Sequence, residues 1–119
     1  MAMKRATGID AFLPLKTAWF HILLALADEP RHGYAIRSSV EELTDGSVRL
    51  WPAMLYGSIR QMGESGLLEP LEGDADPDED GRRRYYRLTP LGRQVLVAET
   101  ERLRSLVEFA ERTRAVASG

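Results

Sequence analysis

Residues 81–92 read GRRRYYRLTPLG, and no other stretch limits the possible fold so strongly. The segment alternates as a β-strand does, then stops at Thr89-Pro90. Threonine is a favoured helix cap, and proline loses nothing in a first helical turn. A helix therefore begins where the strand ends. Residues 67–71, LLEPL, read as an earlier strand, and residues 72–81 as a polar loop containing Gly73, Pro77 and Gly81. The two strands make a hairpin, and its returning side carries Arg82, Arg83, Arg84 and Arg87, the densest positive cluster in the chain.

The residues before the hairpin are helical in pattern. Over residues 14–28, Leu15, Trp19, Ile22 and Leu26 share one face, and Leu23 widens it. Glu29-Pro30 ends this helix, because the residue before a proline is pushed out of the helical region. A second helix is expected over 33–43, with Ile36, Val40 and Leu43 inward, closed by the Thr44-Asp45-Gly46 turn. Residues 48–50 offer a further short strand. The third helix begins at Pro52. Leu55, Ile59 and Met62 face the core, while Ala53, Tyr56, Gly57, Arg60 and Glu64 face away. The last helix is expected to run from Pro90 to about residue 117, and residues 1–12 read as a flexible arm. The chain is thus read as mainly α with a small two-stranded β-wing. A winged helix-turn-helix occupies residues 13–89, and a long C-terminal helix occupies 90–119.

A length of 119 residues suits one domain. The net charge of −2 argues at first against a nucleic-acid partner. Its distribution reverses that impression. Seven carboxylates lie within residues 69–80 with no lysine or arginine among them, and outside this stretch sixteen basic side chains face eleven acidic ones. Screening over roughly 8–10 Å makes local charge decisive. Asp76, Asp78, Asp80 and Gly81 imitate the opening of an EF-hand loop, but the closing position falls on Arg87, where a bidentate glutamate is required. No metal site is expected. His21 and His32 have no partners at metal-ligand or triad spacing, there is no glycine-rich phosphate loop, and cysteine is absent. Neither catalysis nor a cofactor is expected. No apolar run is long enough to cross a membrane, and the N-terminus lacks a signal-peptide layout, so a cytoplasmic setting is the default.

Several motifs together resemble the PadR family of bacterial transcriptional regulators. They are residues 23–34, LLALADEPRHGY, with Ile36; Leu55-Tyr56; residues 64–68, ESGLL; and residues 84–92, RYYRLTPLG. Order and spacing match from Trp19 to Gly92, and the final helix matches in kind. The chain departs from the pattern at Trp51, where members usually carry a small polar residue, and at Gly57, where they usually carry proline. Near Ala53 and Met54 they have smaller polar residues. The resemblance implies operator DNA as the partner, dimerisation through the last helix and repression of a promoter. Some members respond to phenolic acids or flat aromatic drugs. Trp19, Trp51 and Phe109 are candidate walls for such an effector, with Phe20 beside them.

On this fold the third helix enters a major groove. Arg60 then reaches a guanine edge or a phosphate, Tyr56 a phosphate or the groove wall, and Ala53 or Met54 a thymine methyl. Arg82, Arg83 and Arg84 meet backbone phosphates or the minor groove. The plain alternative is a solvated helix face and a wing whose arginines neutralise the acidic loop. In the last helix Leu96, Leu103 and Ala110 keep a seven-residue spacing, with Leu106 and Val107 between the last two. Glu99 interrupts the set, so the helix is not a clean coiled coil. At about 27 residues it would be about 40 Å long and would outrun so small a domain. Its apolar stripe is expected to pack on a second copy, giving a homodimer whose recognition helices lie about one duplex turn apart. Two rivals remain: a winged-helix module that binds a protein, favoured by the acidic loop, and a dimer whose aromatic-drug sensing dominates.

Overall fold

The computed structural model describes residues 8–71 and 84–113. A 3-10 helix, Gly8–Phe12, precedes α1 (Thr17–Ala25), β1 (Arg31–His32), α2 (Gly33–Leu43), α3 (Pro52–Glu64), β2 (Leu68–Pro70), β3 (Tyr85–Leu88) and α4 (Pro90–Arg112). The acidic loop, Arg82, Arg83 and the last six residues lie outside the described residues.

Side chains acting on backbone groups set several of these boundaries. The α1 helix stops at Ala25, short of the proline signal. Arg31 Nε donates to the Ala25 carbonyl at 2.7 Å, and the same guanidinium pairs with Asp28 and Glu29 at 3.3 and 3.4 Å. His32 caps α2, its Nδ1 accepting from the Ala35 amide at 3.1 Å. Thr89 caps α4 by accepting from the Gly92 amide at 2.9 Å.

The sheet has three antiparallel strands in the order β1-β3-β2. Glu69 faces Arg87 and Pro70 faces Tyr86 across β2 and β3. The additional strand is β1, whose Arg31 and His32 face Tyr86 and Tyr85. Two residues are too few to show an alternation, so only the fold reveals this strand. Residues 48–50 form no strand. Leu50 is buried instead, and the Val48 amide donates to Thr44 Oγ1 at 3.1 Å.

The core joins Ile22, Leu23 and Leu26 of the α1 region to Ile36 and Val40, to Leu55, Ile59 and Met62, and to Val95 and Leu96 of α4. Leu43 does not join it. It lies in the last turn of α2, beyond Val40, and is 57% exposed. Ile9 and Phe12, expected within the arm, pack against the core from the 3-10 helix.

Two contacts fix α4. A Cβ placed on Gly92 would stand 1.9 Å from the Leu67 carbonyl oxygen, so only glycine fits there. Further along, Glu99 is buried, accepting from the Leu15 amide at 3.2 Å and from Arg102 at 2.7 and 2.9 Å. The Arg102 hydrogen bond holds the Glu99 carboxyl below its ordinary value of 4.5, against the burial that pushes it up; the Leu15 amide adds to the lowering.

Gly92→Ala should cost about 3 kcal/mol, because the added methyl meets backbone and not a movable side chain. Thermal unfolding followed by circular dichroism would measure it, and an unchanged melting temperature would refute the close approach. Glu99 has the lower value in the folded chain, so its contribution is complete above the unfolded value near 4.5 and disappears as pH falls through the folded value. Below pH 4.5 the melting temperature should therefore fall more steeply for the parent than for Glu99→Gln.

Candidate nucleic-acid interface

The helical period divides α3 into two faces. Leu55, Ser58, Ile59 and Met62 are buried. Ala53, Met54, Arg60, Gln61 and Glu64 are exposed. A Cβ on Gly57 would meet nothing within 4 Å, so this face is open at its middle. Ala53, Gly57 and Arg60 therefore form one solvent-facing row, with Met54 at its edge.

Tyr56 is not part of that row. It is half-buried and packs against the core, and a Cβ on Gly33 would stand 2.5 Å from its hydroxyl oxygen. The expected outward tyrosine instead ties α3 to the first residue of α2. The missing side chain of Gly33 makes room for the ring.

In the wing, alternation turns Leu88 and Tyr86 inward and leaves Tyr85 and Arg87 exposed. Burial is the main cause that raises the Tyr86 phenol above its ordinary value of 10.0, and the charge of Arg84 opposes it. Arg84, the residue before β3, is itself exposed. Arg87 is paired, its Nε lying 2.8 Å from Glu69 Oε2 on β2. The ring of His32 meets Tyr85 edge-on, with centroids 5.2 Å apart at 84°. One histidine thus caps α2 and seats the wing. Of the expected arginine cluster, Arg82 and Arg83 lie outside the described residues.

The burial of the long helix changes near Glu99. Gly92, Val95, Leu96 and Glu99 are buried in the chain's own domain. Leu96, expected on a stripe facing a second copy, is a core residue here because the 3-10 helix and α1 cover the first half of α4. Beyond Glu99 the apolar side chains are more open: Leu106, Val107 and Phe109 are more than half exposed, and Leu103 and Ala110 are intermediate.

Trp19, Trp51 and Phe109 are not gathered into one pocket wall. Trp19 packs on the core under Lys16, Trp51 heads α3 beside Arg37, and Phe109 lies near the end of α4 beside Arg112. Among the described residues no ring contact joins the three. An open groove of about 510 Å³ runs instead between the 3-10 helix and α4, lined by Ile9, Arg93, Val97 and Glu101 among others. No helix among the described residues is long and apolar enough to cross a membrane. Sequence alone gives no reason to single out Arg37, since its contact with Trp51 joins α2 to the head of α3.

The sequence profile of the transcriptional regulator PadR-like family matches residues 22–98. The chain belongs to that family. The match takes in α1 from Ile22, the sheet, α2, α3 and the covered half of α4. This PadR-like chain is 40% identical over 85 residues to a 37.1 kDa protein in transposon Tn4556 of Streptomyces fradiae; the match covers 71% of this chain and 22% of that relative. The chain thus corresponds to about a fifth of that protein's length. Among solved structures, it is similar to RosR of H. salinarum at 26% identity and a TM-score of 0.62, covering 89% of this chain and 98% of that one. It also shares its fold with a PadR family transcription regulator from Clostridium difficile, at 20% identity and a TM-score of 0.65, covering 82% and 98% of the two chains.

Proposed function

We propose that this PadR-like regulator binds operator DNA as a homodimer and represses the promoter it occupies. The observation that carries the reading is the two-faced α3. One face is locked into the core, while the other offers Ala53, Met54, the open Gly57 position and Arg60 to solvent. A helix with small residues along its outer face and an arginine in its second half fits a major groove closely. Residues 13–89 act as the reading head, and Arg60 contacts a guanine edge or a phosphate. On the wing, Arg84, with Arg82 and Arg83 next to it in sequence, neutralises phosphates.

Residues 90–119 act as the dimerising stem. The first half of α4 is committed to its own head, and in the second half Leu106, Val107 and Phe109 are left exposed among the described residues. A second copy related by two-fold symmetry covers Leu103, Leu106, Val107 and Ala110 and sets the spacing of the two α3 helices.

Binding of the purified chain to its own upstream duplex and to random duplex, at about 50 and 200 mM salt, tests the reading. The upstream duplex should bind more tightly, with affinity falling steeply as salt rises. Arg60→Ala should lose about tenfold on the upstream duplex. Arg84→Ala should weaken both duplexes alike and reduce the salt slope by about one unit. Equal, weak binding of the parent to both duplexes would favour the protein-partner alternative. For the stem, joint replacement Leu106→Asp and Val107→Asp should shift the sedimenting species from dimer to monomer. Both side chains are exposed in the single chain, so its fold should survive. An unchanged sedimentation coefficient would place the dimer contact elsewhere.

A further inference from the structure

We propose that Trp51, held in place by Arg37, is a specificity-determining contact of the DNA-reading surface. Its indole presses on a thymine methyl at the leading end of the α3 footprint, and the charge of Arg37 faces the neighbouring phosphate. The proposal rests on the DNA-binding reading above.

Trp51 occupies the N-cap position of α3 with an extended backbone, φ −70° and ψ 151°, and Pro52 follows it. Its side chain makes no capping hydrogen bond, and the residue is 58% exposed. Leaving much of an aromatic ring in water forgoes on the order of 1–2 kcal/mol of burial. A role in packing this chain's own core does not account for that exposure.

The ring is nevertheless oriented. The Arg37 guanidinium, projecting from α2, lies 6.0 Å from the centroid of the indole, within the range of a cation–π attraction. Arg37 is under-satisfied in turn. Its Nε is buried and has no hydrogen-bond partner among the described residues. The Glu41 carboxylate lies 3.7 Å from it, outside hydrogen-bond range, so that pair attracts only through charge. Buried donors are normally satisfied. A cation near an exposed ring, with one weak counter-charge among the described residues, leaves positive potential for an outside anion.

The surroundings favour DNA as the partner. Ala53 and Met54 are exposed just beyond Pro52, on the helix whose outer row also carries Arg60. In a duplex the thymine methyl is the apolar mark of the major groove, and the phosphate is the anion bordering it. An apolar ring with a cation 6.0 Å from its centroid complements both. Arg37 is then a positioning residue for Trp51 and adds a phosphate-facing charge.

The test uses the full chain, labelled upstream duplex, random duplex, and an upstream duplex with deoxyuridine in place of thymine, which removes the methyls alone. Trp51→Ala should lose about tenfold on the upstream duplex and nothing on the random one, at an unchanged salt slope. The deoxyuridine duplex should bind the parent several-fold more weakly, on the order of 1 kcal/mol, and should penalise Trp51→Ala no further. Arg37→Gln should weaken upstream binding, and Arg37→Lys should restore part of it. In a Trp19→Phe background, where Trp51 is the remaining tryptophan, Arg37→Gln should also move the indole emission toward that of free indole. If Trp51→Ala binds the upstream duplex like the parent while Arg60→Ala is weakened, the DNA reading stands, this proposal falls, and the exposed indole is left to a protein partner. Equal losses on both duplexes would overturn the specificity role, and an unmoved emission would overturn the positioning role. A parent without preference for its upstream duplex would overturn the DNA reading and this proposal with it.

Discussion

The fold turns on one crossing point, where Leu67 passes over Gly92. The Leu67 carbonyl occupies the space a side chain at Gly92 would need. Thr89 secures the same point from three sides: its hydroxyl donates to the Gly66 carbonyl, its Oγ1 accepts from the Gly92 amide, and its own amide donates to the Leu67 carbonyl at 3.2 Å. Gly66, at φ +84°, makes the left-handed turn that brings the chain off α3 into this crossing. The end of α3, the start of β2, the end of β3 and the start of α4 therefore meet within a few residues. The angle between α3 and α4 is set here, by backbone contacts that allow little adjustment.

The local part of this arrangement was legible in the sequence. Thr89-Pro90 marked a capped helix start, and the α3 period separated Leu55, Ile59 and Met62 from Ala53 and Arg60, because caps and periods depend on residues within a turn of one another. What the sequence hid depended on distant partners. The early end of α1 needs the Arg31 side chain at the Ala25 carbonyl, and β1 exists only because β3, more than fifty residues later, lies beside it. Tyr56 turns inward because Gly33 leaves it room. Leu96 kept heptad spacing and still went to the core, since the covering residues come from the other end of the chain. Of the candidate site, the outward row of α3 was readable, whereas the pairing of Arg37 with Trp51 was not. A cation from one helix over a ring at the head of the next leaves no periodic trace.

Electrostatics in the wing follow from strand register. Glu69 and Arg87 are directly opposed in β2 and β3, so one arginine of the cluster is already engaged. Both side chains are about half exposed, and such a pair is worth roughly 0.2–1 kcal/mol. A phosphate arriving near Arg87 can compete with Glu69 at little loss. The intramolecular pair thus ties β2 to β3 without removing the positive charge of Arg87 from use. Arg84 is exposed, and among the described residues no ion pair engages it.

Glu99 decides how the proposed dimer would behave mechanically. In a simple heptad reading it is a flaw in the stripe. In the fold it is a buried carboxylate whose two oxygens are taken by Arg102, three residues on, and by the Leu15 amide, 84 residues back. It therefore binds the segment leading into α1 to the middle of α4, at the level where the helix leaves its own domain. Breaking one side of such a buried interaction leaves the remaining charge poorly solvated, which makes local hinging at this level costly. Head and stem should then move as one body. A displacement of the stems against each other would be carried through Glu99 and the Leu67–Gly92 crossing to α3 with little loss, and the distance between reading helices becomes a direct function of how the exposed halves of the two α4 helices pack.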